Sequence, residues 1–253
     1  DPSVVLGKNQ NVFQEVNLKE FYNSSFKLAR RISGGGTVVH DNGNINFSFF
    51  EPYDLKRVNN YESSVGNIVR LLNELGLGCY MNERNAIFLN SGKKISGSAQ
   101  FSTKKGILSH FTILYNSSLD IISKLLEPNK YNIETKASKS VSSEVDNLGS
   151  YTDLSQNEFV EKIVKDLGYT SMFKADQINK TVFSKLYEKY SDMSYYFDKA
   201  CNCTISTDNL KIDVSDGKII DIVGDFKPNN YHTRRLHPTD IPMDSPIWNE
   251  LLD

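Results

Sequence analysis

The stretch from Arg30 to Asp41 concentrates residues able to bind an anion; it reads Arg-Arg-Ile-Ser-Gly-Gly-Gly-Thr-Val-Val-His-Asp. Glycine lets backbone N–H groups approach a ligand closely, and successive N–H groups can form an anion-binding nest. The arginines add charge with a fork geometry that suits phosphate or carboxylate. A plain turn is the competing interpretation, because glycine is a leading turn residue. The spacing matches neither a Walker A loop nor a dinucleotide-binding fingerprint.

A second stretch, from Lys93 to Gln100, has the same character: a cation directly precedes Ile-Ser-Gly-Ser-Ala. We call the loop that contains Gly34, Gly35 and Gly36 the glycine loop. We predict a second small flexible loop here, on a strand that neighbours the strand of the glycine loop in one sheet. An ammonium can neutralise charge that develops on a phosphate or acyl oxygen, although most lysines are simply solvated. Lys93 and Lys94 compete for this role, and spacing alone does not choose between them.

Composition excludes several classes of protein. With 253 residues and a net charge of −2, the chain lacks the basic field that recruits nucleic acid. No apolar run is long enough to span a membrane. The three cysteines, Cys79, Cys201 and Cys203, cannot all pair, which favours reduced thiols in an intracellular compartment. The Cys-Asn-Cys spacing does not suit zinc, and we assign no metal-binding residues.

Hydrophobic periodicity predicts an α/β arrangement around the two stretches, with the glycine loop between strands at the edge of a sheet core. Strands are predicted at 4–6, 45–49, 79–81, 86–89 and 107–115, and helices within 17–27 and at 65–75, 119–126, 154–168 and 179–190. Beyond residue 190 we expect a separate small β element whose hairpin turns at Asp216-Gly217. Residues 227–253, polar and Pro-rich with the lone Trp248, are expected to form a docking tail.

Both stretches resemble the signature segments of lipoate–protein ligases. Residues 31–49 are similar to the family pattern Arg-Arg-x-Ser-Gly-Gly-Gly-x-Val-x-His-Asp-x-Gly-Asn, and residues 94–112 begin with its second pattern, Lys-x-Ser-Gly-Ser-Ala. Residues 1–11 resemble the strand and loop that precede these patterns in the family. We expect the family's first strand and helix, and any targeting signal, to lie outside this sequence.

The resemblance implies a mixed α/β (α+β) fold of the biotin/lipoate ligase type, related to class II synthetases, with a mixed sheet flanked by helices. It implies a catalytic domain at residues 1–189, truncated at its N-terminus, and a small C-terminal accessory domain at 190–253. Residues 219–226 resemble part of that accessory domain.

The implied activity has two steps and uses ATP, with Mg²⁺ as the companion ion. Lipoate or octanoate attacks the α-phosphate to give an acyl-adenylate, and a lysine of an acceptor protein then displaces AMP. The implied acceptors are apo lipoyl domains of 2-oxoacid dehydrogenase E2 subunits, the glycine cleavage H protein, or both. We expect a monomer, cytoplasmic in a bacterium and mitochondrial in a eukaryote. An apolar slot for the acyl tail would be lined by Val5, Phe47 and the region of Ala99.

The resemblance also implies roles for individual residues. Lys94 would bridge the acyl carbonyl and the phosphate, stabilising charge as a protonated amine and not acting as a general base. Arg31 would hold the nucleotide phosphate. His40 would lie close to the acyl-adenylate, with a packed structural histidine as the alternative. The other positions implied to bind ATP or lipoyl-adenylate are Gly34, Gly35, Gly36, Thr37, Val38, Val39 and Asn85.

Three departures from the family pattern leave alternatives open. The family's Arg-Asn-Asp is Arg84-Asn85-Ala86 here, so a possible Mg²⁺ ligand is absent. Its His-Gly-Thr is His110-Phe111-Thr112, and no tryptophan marks the entry to the accessory domain around 192–197. One alternative is a lipoyl or octanoyl transferase that takes a preactivated donor, lipoyl-AMP or acyl-CoA. The other is a non-catalytic protein that binds lipoyl domains.

Overall fold

The computed structural model describes residues 1–169, 177–224 and 231–252. The β-strands are, in chain order, β1 (Ser3–Leu6), β2 (Lys27–Arg30), β3 (Val38–His40), β4 (Asn44–Glu51), β5 (Cys79–Met81), β6 (Ile87–Leu89), β7 (Lys94–Ser96), β8 (Ser98–Thr103), β9 (Gly106–Leu114), β10 (Asn132–Thr135), β11 (Cys203–Ser206), β12 (Leu210–Ser215) and β13 (Lys218–Gly224). The α-helices are α1 (Val12–Glu15), α2 (Leu18–Tyr22), α3 (Asn67–Glu74), α4 (Leu119–Leu125), α5 (Gln156–Asp166), α6 (Lys180–Ser191), α7 (Met193–Tyr196) and α8 (Pro246–Leu252). Shorter helical turns occupy Leu55–Arg57, Glu62–Gly66 and Leu148–Tyr151.

Contacts divide the chain into two units. The first unit comprises residues 1–39, 120–141 and 180–253, and the second comprises 40–119 and 142–179. Residues 190–253 therefore group with two earlier segments of the chain. The catalytic and accessory domains at 1–189 and 190–253 stay a prediction. Two residues of the segment that resembles the accessory domain, Asp225 and Phe226, lie outside the described residues. So do residues 227–230 and 253 of the expected tail.

The first unit contains a three-stranded sheet in the order β2-β1-β3. Strand β1 runs parallel to β2, with Val4 opposite Leu28 and Leu6 opposite Arg30. Val4 and Leu6 are fully buried, which confirms the predicted buried strand. The glycine loop connects β2 to β3, so its predicted place between strands is confirmed as well.

A second sheet of this unit is antiparallel, in the order β10-β11-β12-β13. The hairpin between β12 and β13 turns at Asp216 and Gly217, whose φ angles of 46° and 73° are those of the predicted tight turn. Strand β10 pairs with β11, placing Ile133 opposite Ile205. We had expected the β element to lie beyond residue 190, but its first strand, β10, lies at 132–135. The short, mostly polar sequence Asn-Ile-Glu-Thr gives little sign of this strand.

The described part of the expected docking tail packs against the rest of the first unit. Residues 246–252 form α8, and the side chain of Trp248 is fully buried. Its indole N–H donates to the carbonyl of Ile241 at 3.0 Å, and its ring meets that of Tyr22 edge to face at 5.5 Å. Burial of an aromatic surface this large is strongly favourable, so the helix packs into the first unit.

The second unit contains the antiparallel sheets β4-β9-β8 and β5-β6-β7. Helices α3 and α5 contribute to its core, which includes Ile68, Leu72 and Phe159. The predicted ends of both helices are confirmed: Gly76 and Gly168 adopt φ values of +78° and +79°, which favour glycine at helix ends. The predicted capping box between Ser155 and Glu158 begins α5. Among the described residues, no helix is long and apolar enough to cross a bilayer.

The predicted flexible loop at 93–100 is wrong. Lys94–Ser96 form β7, and Ser98–Thr103 form β8, leaving Gly97 between them. Strand β8 pairs along its length with β9, with Ser98 opposite Phe111. The small polar residues conceal a strand because its pairing is decided by a partner elsewhere in the sequence. Strand β7 also belongs to a different sheet from β2 and β3, so the expectation of neighbouring strands is wrong too.

Candidate functional site

The guanidinium of Arg31 holds the glycine loop through its backbone carbonyls. Nε and Nη2 both donate to the carbonyl of Gly34, at 3.2 and 2.7 Å, and Nη2 also donates to that of Gly36 at 2.7 Å. Nη1 donates to the carbonyl of Val5 at 3.2 Å. Burial lowers the pKa of Arg31 to about 10. Arg31 therefore braces the loop in this structure, and its predicted contact with phosphate stays a prediction.

The neighbouring Arg30 is also structural. It is 5% exposed, and its Nη1 donates to the carbonyls of Gly7 and Gln10 at 2.9 and 2.7 Å. These bonds tie the end of β2 to the turn that follows β1. Arg31 thus holds the glycine loop itself, whereas Arg30 holds the turn after β1.

Close packing explains one glycine beside the loop, and backbone conformation explains one within it. A Cβ on Gly7 would lie only 2.1 Å from the carbonyl oxygen of Gly35, so any larger residue must displace the loop. Gly35 itself has a φ of +89°, which other residues rarely adopt. A Cβ on Gly34, by contrast, would meet nothing within 4 Å. Gly34 and Gly35 are both exposed, and the space beside Gly34 is open.

The residues after the glycines lead into β3. Thr37 and Val39 are buried, whereas Val38 and His40 are half-buried. The backbone N–H of Thr37 donates to the hydroxyl of Ser140 at 2.9 Å. Sequence reasoning missed Ser140, because no local pattern marks a contact between residues 103 positions apart. The roles predicted for Thr37, Val38, Val39 and His40 in ligand binding stay predictions.

In the second unit, the structure separates the two candidate lysines. The side chain of Lys93 is 40% exposed, and its ammonium lies 3.5 Å from Asp146 and 3.6 Å from Glu144. Asp146, followed by Glu144, raises the pKa of Lys93. Lys94 is half-buried, and among the described residues no carboxylate pairs with it. Burial, and secondarily the charge of Arg84, lower the pKa of Lys94.

The strand that carries Lys94 is held from both sides. Its backbone N–H donates to the carbonyl of Glu144 at 2.9 Å, and its carbonyl accepts from Asp146 N–H at 3.0 Å. On the other side Lys94 lies opposite Phe88 of β6. A Cβ on Gly97 would touch Cε and Nζ of Lys94 at 3.7 Å, so the glycine of Lys-x-Ser-Gly leaves space beside the ammonium. This rigid strand and open flank suit an amine that stabilises charge on a substrate.

Asn85 and Ala86 lie in a tight turn before β6. The side-chain oxygen of Asn82 accepts the backbone N–H groups of Arg84 and Ala86 at 3.1 and 3.0 Å. Asn85 has a φ of 61°, a left-handed conformation that asparagine tolerates. Its carbonyl accepts from the hydroxyl of Ser98 at 2.6 Å. The turn therefore fixes Asn85 beside the second signature segment, although its predicted contact with nucleotide stays a prediction.

The residues present do not fit a protein-held Mg²⁺. Ala86 places a methyl group that is 6% exposed where the family has a carboxylate. In the parts of the chain that the structure describes, no three His, Cys, Asp or Glu side chains come together as a metal site. Mg²⁺ prefers oxygen ligands, carboxylates above all. No residue here is assigned to the ion.

The second departure, Phe111, is a core residue. It is 1% exposed and stacks on Phe47 with 5.0 Å between ring centroids and on Phe49 with 5.9 Å. The large ring on β9 therefore packs against β4 and supplies core volume where the family has glycine. The ring of Phe47 takes part in the same stack. Its predicted place in an acyl slot, with Val5 and Ala99, stays a prediction.

We expect the activation step that the resemblance implies to depend on pH through Lys94. Its pKa is lowered, so the ammonium loses its proton at a lower pH than an ordinary lysine, and activity that needs the charge should fall as pH rises through that value. Arg84→Gln removes a repelling charge and should move this fall to higher pH. Pyrophosphate release without an acceptor measures the step, because no acceptor amine then titrates. Lys93→Gln is the matched control and should leave the profile in place.

Comparison with known proteins identifies the family. Residues 1–168 match the profile described as lipoyl protein ligase A/B catalytic domain. The lipoate–protein ligase LplJ of Bacillus subtilis is 32% identical over 244 residues, which is 89% of this chain and 73% of that protein. The two patterns recognised in the sequence thus belong to a likeness that runs through most of the chain.

Solved structures agree. A lipoate protein ligase of T. acidophilum with bound lipoic acid is 27% identical, with a TM-score of 0.63 over 78% of this chain and 82% of that one. A structure from work on a bipartite ligase and its E2 lipoyl domain from Thermoplasma acidophilum is 26% identical (TM-score 0.65; 79% and 81%). A lipoate–protein ligase A bound with ATP is 25% identical (TM-score 0.65; 79% and 83%). The predicted mixed α/β fold of the biotin/lipoate ligase type is confirmed, and the chain belongs to the lipoate–protein ligase family.

Proposed function

We propose that this protein is an ATP-dependent lipoate–protein ligase. It activates lipoate as lipoyl-adenylate with release of pyrophosphate, and then transfers the lipoyl group to a lysine of an acceptor lipoyl domain with release of AMP. The observation that carries the proposal is the state of Lys94: half-buried, without a carboxylate partner among the described residues, and bordered by Gly97. Such an ammonium is available to neutralise charge on a substrate.

The chemistry requires activation. A free carboxylate does not acylate an amine at neutral pH, whereas AMP is a competent leaving group. Lys94 stabilises the charge that develops on the acyl and phosphate oxygens, which needs its protonated form. The glycine loop offers backbone N–H groups to the nucleotide, and Arg31 keeps that backbone in shape. Each of these tasks is positioning or charge stabilisation and asks no protein group to form a covalent intermediate.

The ligands follow from the relatives. The Thermoplasma ligase was solved with lipoic acid, the ligase A structure contains ATP, and the archaeal ligase was studied with an E2 lipoyl domain. These support lipoate as acyl substrate, ATP as activating nucleotide and a lipoyl domain as acceptor. Octanoate, which has the same carboxylate and an apolar tail, and the glycine cleavage H protein are the companion candidates for acyl substrate and acceptor.

A transferase that takes a preactivated donor is the second candidate, and Ala86 favours it. The methyl group of Ala86 is buried where the family has a carboxylate, which removes a possible ligand for the Mg²⁺ that accompanies ATP. Transfer from lipoyl-AMP or an acyl-CoA would make no demand on that ion.

One assay separates the candidates. Purified protein is incubated with an apo lipoyl domain and lipoate plus ATP and Mg²⁺, with synthetic lipoyl-AMP, or with octanoyl-CoA, and the acceptor is weighed by mass spectrometry. The proposal expects modification in the first arm and in the lipoyl-AMP arm. Modification only from a preactivated donor would replace the ligase with the transferase. No modification in any arm would reject both enzymes in favour of a lipoyl-domain-binding protein.

A further inference from the structure

A buried carboxylate in the first unit contacts the segment that supports the glycine loop. Glu15, the last residue of α1, is 6% exposed. Its Oε1 accepts the backbone N–H of Ser140 at 3.0 Å, and its Oε2 accepts the hydroxyl proton of Ser140. Among the described residues no lysine or arginine forms an ion pair with it. A buried carboxylate is costly unless hydrogen-bond donors satisfy it. The N–H and hydroxyl groups of Ser140 supply these donors, so Ser140 and Glu15 hold each other in place.

The hydroxyl of Ser140 uses its whole hydrogen-bonding capacity. A serine hydroxyl has one proton to donate and two lone pairs to accept with. Its proton goes to Glu15, and its oxygen accepts Gln10 Nε2 at 3.0 Å and the backbone N–H of Thr37 at 2.9 Å. The carboxylate therefore decides the orientation of the hydroxyl, and both lone pairs are left for the loop.

Gln10 completes the connection. It is 1% exposed, and its Oε1 accepts the backbone N–H of Gly7 and the hydroxyl of Thr37, each at 2.8 Å. Thr37 directly follows the three glycines, so both its backbone and its side chain are fixed by this network. Gly7 is the residue whose backbone packs against Gly35.

We propose that Glu15 is a positioning residue for the glycine loop, acting through Ser140 and Gln10. By orienting the Ser140 hydroxyl it fixes Thr37 and, with it, the C-terminal side of the glycine loop. The activity readout of this proposal rests on the proposed ligase function; the structural readout does not. No contact between Glu15 and the substrate is required.

The substitution Glu15→Gln isolates this role. An amide of the same shape presents one acceptor and one donor group, whereas Ser140 offers two donors to this position. In one orientation the amide NH2 group faces the hydroxyl of Ser140, which must turn away from Gln10 or Thr37 to accept from it; in the other it faces the backbone N–H of Ser140, which then loses its acceptor. Ser140→Ala removes the connecting hydroxyl altogether. Ser140→Thr keeps the hydroxyl and should preserve the network.

The matched controls lie in the same segments. Ser138→Ala removes an exposed hydroxyl two residues before Ser140; the backbone N–H of Ser138, which the substitution keeps, donates to the carbonyl of Asn9. Glu20→Gln neutralises a carboxylate on α2 that takes no part in the network. Neither should change the loop.

The primary experiment is amide hydrogen exchange at Thr37 in the full chain. Loss of its acceptor should speed exchange about tenfold in Glu15→Gln and Ser140→Ala, with wild-type rates in Ser140→Thr and both controls. In the ligase assay the same two variants should raise KM for ATP about tenfold while kcat changes less than about threefold, as expected when ligand positioning is lost.

Several outcomes would overturn the proposal. Unchanged exchange at Thr37 in both variants would show that Glu15 does not fix the loop. Faster exchange throughout the first unit would show a general role in stability and not positioning. A fall in kcat with unchanged KM would also contradict it. Wild-type protein that modifies no acceptor would reject the proposed function alone, because the exchange measurement would still decide whether the network holds Thr37.

Discussion

Lys94→Ala is expected to reduce both adenylate formation and transfer from lipoyl-AMP by about 10²–10³-fold, the usual effect of removing one charge-stabilising group from an active site. The side chain is half-buried and has no carboxylate partner among the described residues, so its removal breaks no ion pair there and should leave the fold intact. Pyrophosphate release measures the first step, and mass spectrometry of the acceptor measures the second.

Lys93→Ala provides the control at the adjacent position. It removes a cation of the same length, but one that is paired with Asp146 and Glu144 and whose side chain is 40% exposed. Exposed pairs of this kind contribute little, so activity should stay within about twofold of wild type. Lys94→Arg should recover only part of the loss, because a guanidinium keeps the charge but not the compact geometry of an ammonium. Near-normal activity of Lys94→Ala would remove this residue from the mechanism.

The features that sequence predicted well are encoded within a few neighbouring residues. The capping box of α5 needs only Ser155 and Glu158, and the hairpin of the second sheet needs only Asp216-Gly217. Gly76 ends the helix predicted at 65–75 in the conformation that glycine alone adopts easily. In each case the physical cause and the visible pattern occupy the same short window.

The features that sequence missed depend on residues far away in the chain. Strand β8 looks like a loop until β9 pairs with it, and β10 gains its place from β11, about 70 positions later. Trp248 looks like part of a polar tail until the ring of Tyr22 is placed against it. Local composition is a poor guide where pairing with distant residues supplies the stability.

The candidate site divides in the same way. The motif led directly to Lys93 and Lys94, but the choice between them depends on carboxylates about 50 residues later, at 144 and 146. The glycine loop was visible, whereas its support by Glu15 and Ser140 was not, because these residues lie 125 positions apart. A signature pattern marks where a ligand binds but not what holds the binding groups in place.

The glycine loop allows the sharpest separation of conformation from composition. Gly7→Ala places a Cβ about 2.1 Å from the carbonyl oxygen of Gly35, and backbone on both sides must shift to relieve the contact. We expect the free energy of unfolding to fall by about 1–3 kcal/mol, as for other overpacked sites. A displacement of about 1 Å in a positioning loop can lower activity about a hundredfold, and we expect that loss in kcat/KM for ATP.

Gly34→Ala tests whether the loss comes from the contact or from replacing any glycine of the motif. Its Cβ would meet nothing within 4 Å, so stability should change by less than about 0.5 kcal/mol, as for an ordinary surface position. Gly35→Ala should fall between the two, because its φ of +89° strains any other residue. Urea unfolding and ATP-dependent acceptor modification are measured on all three variants. Equal losses in Gly7→Ala and Gly34→Ala would show that the loop depends on the flexibility of its glycines. Losses that decrease in the order Gly7→Ala, Gly35→Ala, Gly34→Ala are expected from a loop held rigid by Arg31 and by the backbone packed against it.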